Sequence, residues 1–207
     1  MEHLALIGSV VLIHLMAVMS PGPDFFMALR NSLTYSRKTG IYTAIGFGLG
    51  IGVHVVYCVF GLALIISKSI LVFNIIKFLG AAYIIYVGVM SLISKSNKIE
   101  MKTNEHKTDI SPIKAIRIGF LTNVLNPKAT LFFLSLFTFV ISPETPNHIM
   151  ILLGVIMMVN TAIWFSLVAV FFTQKRIQRF YNQFQRIFNR IFGSILIAIG
   201  IKIIFSK

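Results

Sequence analysis

The run from Thr145 to Gln174 contains no Asp, Glu, Lys or Arg. It is longer than the about 20 helical residues that cross a ~30 Å hydrocarbon core. Comparable runs cover His3–Pro23, Thr39–Ser67 and Phe78–Ser94. Ile118–Pro143 is broken by one charge, Lys128, and Ile191–Ser206 only by Lys202. Six such runs leave little chain for a water-soluble domain. Strand-like alternation is not sustained, which argues against a barrel. Composition agrees: 57% of residues are hydrophobic and 12% charged, against about 25% charged in a typical globular chain. The excess apolar surface needs lipid to face. The predicted fold is therefore an all-α integral membrane protein with six transmembrane helices.

Basic residues in short connections set orientation. Arg30, Arg37 and Lys38 lie in connection one. Lys95, Lys98, Lys102, Lys107, Lys114 and Arg117 lie in connection three, and Lys175, Arg176, Arg179, Arg186 and Arg190 in connection five. Connection two has Lys68, with Lys77 nearby and expected to snorkel outward; connection four has no basic residue other than His148. Odd-numbered connections are thus expected in the cytosol, with both termini outside. The net charge of +13 then reads as an orientation signal, and no nucleic-acid partner is predicted. Residues 175–190, with Phe180, Tyr181, Phe184 and Phe188, read as an amphipathic helix on the anionic inner leaflet. The first run is read as a helix of the mature protein, because Glu2 and Ser20-Pro21-Gly22-Pro23 make a poor signal peptide. The lone Cys58 excludes an intrachain disulfide.

Two apolar runs are interrupted. The first contains Pro21, Gly22 and Pro23, followed by Asp24. The second contains Asn123, then Asn126-Pro127-Lys128. Proline removes an N–H donor and clashes with the preceding turn. Asn before Pro suits an N-cap and first helical position. Each interruption predicts a break that starts a half-helix, inside a bilayer that tolerates broken backbone only beside protein or a watery cavity. Breaks in spans one and four of oppositely directed halves predict a 3+3 inverted repeat with a central site. Repeat one is expected over about 1–94, a cytosolic connection over about 95–113 and repeat two over about 114–207. Asp24 suits the ammonium of a zwitterion; Lys128 and the half-helix N-termini suit its carboxylate. Two other readings fit the same residues. Asp24 sits far enough along the chain to reach the cytosolic surface, and it equally suits a structural ion pair with Lys128.

Asn123, Asn160 and Tyr83 are candidates to line the path, or to bond and pack between helices. His14 and His54 read first as interhelical hydrogen-bonding groups. Gly46, Gly48, Gly50 and Gly52 form two overlapping GxxxG spacings, with Gly80 and Gly88 in span three; close helix packing accounts for them, and they also permit a homodimer. No phosphate loop, HExxH, GxSxG or metal-ligand cluster is present. No enzyme, cofactor or metal is predicted.

These residues together resemble the LysE/RhtB family of bacterial amino-acid exporters. The strongest pieces are Ser20-Pro21-Gly22-Pro23 and Gly119-Phe120-Leu121-Thr122-Asn123-Val124-Leu125-Asn126-Pro127-Lys128-Ala129. Gly80-Ala81-Ala82-Tyr83-Ile84-Ile85-Tyr86-Val87-Gly88 and Gly193…Gly200 support them. The resemblance implies an inner-membrane secondary exporter, driven by protons, for small amino acids of the homoserine and threonine kind. The direction of transport is implied by the resemblance alone.

Overall fold

A computed structural model describes residues 2–93, 108–140 and 145–205. Most basic residues of connection three, Lys95 to Lys107, lie outside the described residues. Among the described residues eight helices follow one another: α1 Glu2–Met19, α2 Pro23–Thr34, α3 Arg37–Lys68, α4 Ile70–Ile93, α5 Pro112–Val124, α6 Pro127–Val140, α7 Asn147–Phe171 and α8 Lys175–Phe205. Among the described residues there is no strand. The order is two short helices then two long ones, twice over.

Proline sets the short helices. Pro23, Pro112 and Pro127 each open a helix, where a missing N–H costs nothing. Ser111 caps α5 by accepting from the Lys114 N–H at 3.4 Å. Between α1 and α2 the axis turns by 58°. Among the described residues, four segments are individually long and apolar enough to cross a membrane: Arg37–Gly61, Asn74–Ile93, His148–Phe171 and Lys175–Phe205. The bent α1–α2 pair adds a fifth. The expected span over Ile118–Pro143 is divided at Asn126-Pro127 into α5 and α6, neither long enough alone. Residues 175–190 are not a separate surface helix. They continue into the last apolar run as one 31-residue helix, with Gln185 and Asn189 buried on its inner face. Lys77 is buried too, rather than reaching a surface.

Helix α3 is wedged between α5 and α7, and glycine makes that possible. A Cβ on Gly46 would collide with the Ile116 carbonyl, and one on Gly50 would lie 2.6 Å from Asn123 Oδ1, both in α5. Gly48 and Gly52 face the other way: a Cβ on Gly48 would sit 2.8 Å from the Met158 carbonyl of α7. The two overlapping spacings thus serve two different neighbours. Gly80 of α4 packs on Ser135 of α6, and Gly88 of α4 meets Gly193 of α8. Apolar residues fill the remaining interior. Val10, Cys58, Phe133, Leu136 and Met157 join α1, α3, α6 and α7. Phe25, Leu29, Phe47 and Phe165 join α2, α3 and α7. Ile84, Leu196 and Ile203 join α4 to α8. Phe60, Leu71, Leu79 and Ile151 point outward and exposed, as lipid-facing side chains do.

Three connections gather at one end. Ser36 and Thr39 hydroxyls donate to Asp109 at 2.9 and 3.0 Å, and Arg37 Nε donates to Thr173 at 3.0 Å. They lie in or beside the first, third and fifth expected connections.

Candidate functional site

The two breaks face each other inside the bundle. Asp24 is the second residue of α2, so its carboxylate sits at the positive end of that half-helix. It is 8% exposed, which places it within the bundle. Asn123 Nδ2 donates to one of its oxygens at 2.8 Å, and Asn126 Nδ2 to the other at 3.2 Å. Both amides come from the α5–α6 break. Asn126 does a second job: its Oδ1 accepts from the Lys128 N–H at 3.0 Å, capping α6. The carboxylate of one break is therefore held by the turn chemistry of the other.

Lys128 reaches back across the same gap. Its ammonium donates to the Ser20 carbonyl at 2.9 Å and lies 3.4 Å from that of Pro21. Those carbonyls follow the C-terminal end of α1, which carries partial negative charge. Among the described residues, Asp24 and Lys128 make no direct ion pair. Each charge is instead matched to an amide or a carbonyl of the opposite break. The two opposite charges also attract one another across the cavity.

Both charges line one cavity of about 50 Å³, together with Ser20, Asn123, Asn126 and Thr161 as its polar wall. Phe25, Phe132, Phe133 and Phe165 are among the residues of its apolar wall. That volume holds a few water molecules. Gly22 also lines it, with the side chain of Lys128 passing 3.4 Å from where a Cβ would lie. Pro21, Pro23 and Pro127 shape the cavity through the backbone they interrupt.

Two candidates lie elsewhere. Tyr83 lines a separate apolar cavity of about 10 Å³ shared with Lys128 and Phe132, its ring 6.1 Å from that of Tyr86 and tilted by 34°. Asn160 does not line the main cavity, and its buried Nδ2 has no partner. Its neighbour Thr161 does line it, a residue with no distinguishing signal in the sequence. His14 also lines the cavity, fully buried, with Nε2 3.5 Å from the Thr161 hydroxyl and Nδ1 unpartnered. His54 has a structural position. Its Nε2 lies 3.1 Å from the Asn123 carbonyl, which only accepts, so that nitrogen carries the proton. Its Nδ1 accepts from the Tyr57 hydroxyl at 2.8 Å. The ring stacks on Phe133 at 5.4 Å, and so ties α3 to the break.

The arrangement suits a small zwitterion: a carboxylate for an ammonium, and a half-helix N-terminus with a lysine for a carboxylate. Among the described residues, no group of three His, Cys, Asp or Glu side chains could hold a metal ion.

Comparison with known proteins adds an independent finding. The sequence model described as LysE type translocator matches residues 15–207. The chain is 32% identical over 194 residues to a Bacillus subtilis (strain 168) relative named uncharacterized membrane protein YrhP, covering 90% of this chain and 92% of the relative. It is 27% identical over 205 residues to the threonine efflux protein of Escherichia coli (strain K12), covering 99% and 100%. No solved structure matches.

Proposed function

We propose, from the premise that the chain belongs to the LysE type translocator family, that it exports small neutral amino acids of the homoserine and threonine kind across the bacterial cytoplasmic membrane. Membership makes it a multi-pass membrane transporter and not an enzyme. The substrate class draws support from the relative named threonine efflux protein, which matches end to end. One observation carries the chemical reading: a carboxylate and an ammonium, each at its own helix break, line a single cavity.

In this reading Asp24 receives the substrate ammonium, and the first turn of α6 with Lys128 receives the carboxylate. Efflux runs by exchange with protons, with Asp24 as the coupling group. Alternating access arises as one three-span half rocks against the other around the cavity. The repeated order of short and long helices supports that division, α1–α4 against α5–α8. The depth of the site supports it as well. Asp24 lies near the start of the 12-residue α2, so up to ~16 Å of helix separates it from the end where the odd connections gather. That is about half of a ~30 Å core. Those connections are assigned to the cytosol by their basic residues.

The test is a panel of labelled solutes in proteoliposomes, with and without an imposed pH gradient. Uphill movement of threonine or homoserine that needs the gradient is the expected result. Equilibration without accumulation would make the protein a passive facilitator. Movement only of solutes lacking the amino-acid group would overturn the substrate class.

A further inference from the structure

We infer that the α1–α2 break is a cation site, and that the Lys128 ammonium is its built-in occupant. The backbone dictates the site. Pro21 and Pro23 have no N–H, so the carbonyls of Ala17 and Met19 lose the donors that a continuous helix would supply. The last regular bond of α1 runs from the Ser20 N–H to the Met16 carbonyl at 3.2 Å. Beyond it the chain turns by 58° before α2 begins. The carbonyls of Ser20 and Pro21 are left at the negative end of a helix, and Ser20 shares the cavity with the carboxylate of Asp24. Oxygen atoms at an unwound membrane helix are the donor set that binds small alkali cations in other broken-helix transporters.

Here that position holds a side chain. Lys128 Nζ is 2.9 Å from the Ser20 carbonyl and 3.4 Å from that of Pro21. The lysine starts on the other half of the chain, at the second position of α6, where Asn126 caps its N–H. Its arm passes close to Gly22. The cation is thus tethered to one break and bound by the other, and it joins the two halves without an ion from solution. This role differs from the carboxylate recognition assigned above and rests on that reading only where flux is measured.

The experiment is to remove the tether. Lys128→Ala leaves the carbonyls and Asp24 in place with space for an ion. Unfolding of purified protein is followed in about 100 mM sodium chloride and in choline chloride, whose cation is too large for the site. Wild type should show no difference between the salts. Lys128→Ala should unfold at least about 3 °C higher in sodium, as a ligand that binds only the folded state requires. Its threonine efflux should be lost in choline and at least partly recovered in sodium. Equal unfolding temperatures in the two salts would overturn the assignment. Should Lys128→Ala not accumulate, Lys128→Gln decides the matter, since its amide still donates but carries no charge. Unfolding of that variant at the wild-type temperature in choline would overturn the need for a cation; a lower temperature raised by sodium would support it. A sodium-dependent shift in a protein that exports no amino acid would leave this site standing and remove the proposed function.

Discussion

Asp24 takes one amide N–H on each carboxylate oxygen, from Asn123 and Asn126. An asparagine there would turn an N–H₂ group toward one of those donors and would lose the charge. Asp24→Asn is expected to insert normally yet cut gradient-driven efflux at least about 100-fold, a loss of roughly 3 kcal/mol. Parallel measurement of membrane abundance and proteoliposome flux checks it; undiminished efflux would take Asp24 out of the coupling step. Asn126→Ala removes an α6 cap worth about 1 kcal/mol, together with a hydrogen bond to a buried charge worth about 1.5–3 kcal/mol. Its unfolding midpoint should fall by several degrees, and an unchanged midpoint would show that the cap is redundant. Asp24, Lys128, Asn123 and Asn126 could be singled out from the sequence because charge and amide are costly in an apolar run. Asn160 stands out on the same ground and lines no main cavity, and Tyr83, a candidate to line the path or pack, lines a lesser one. Polarity marks a residue but not the direction it faces, which is set by helix rotation: Asn160 misses the cavity that Thr161 lines.

At the scale of the helix, the breaks were legible because proline has one physical effect wherever it stands. The continuity of α8 was not. Its first half reads as a surface segment, since Lys175, Arg176, Arg179, Arg186 and Arg190 are charged and exposed. Yet Gln185 and Asn189 are buried, and Ser91 of α4 donates to the Asn189 carbonyl at 3.0 Å. Packing against α4 extends the helix beyond its apolar half. The glycines predict a graded outcome. Gly119 lies where a Cβ would strike the Thr43 carbonyl of α3, and backbone cannot move aside as a side chain does. Gly119→Val and Gly46→Val should each lower membrane abundance at least about tenfold, consistent with severe overpacking. Gly8 has open space at its Cβ position. Gly8→Ala should accumulate at or above the wild-type level, gaining about 0.5–1 kcal/mol of helix propensity. Gel filtration of the detergent-extracted proteins compares all three.

For the whole molecule, the placement of the basic residues predicts an orientation, and it can be tested cleanly. Cys58 is the lone cysteine and is buried, so an introduced thiol reports alone. A membrane-impermeant thiol reagent on intact cells should label His148→Cys and spare Lys175→Cys; inverted vesicles should reverse the pattern. The opposite labelling would place both termini in the cytosol. The number of spans was hard to read, because a helix divided at Asn126-Pro127 carries the composition of one span and the geometry of two short pieces. One architectural detail bears on how such a bundle can move. Helix α3 meets α5 and α7 along seams where glycine leaves almost nothing between the main chains. Chains in that kind of contact have no room to draw nearer, and parting them would open a void. What remains is lengthwise slip, so the proposed rocking of one half on the other would proceed as shear along α3.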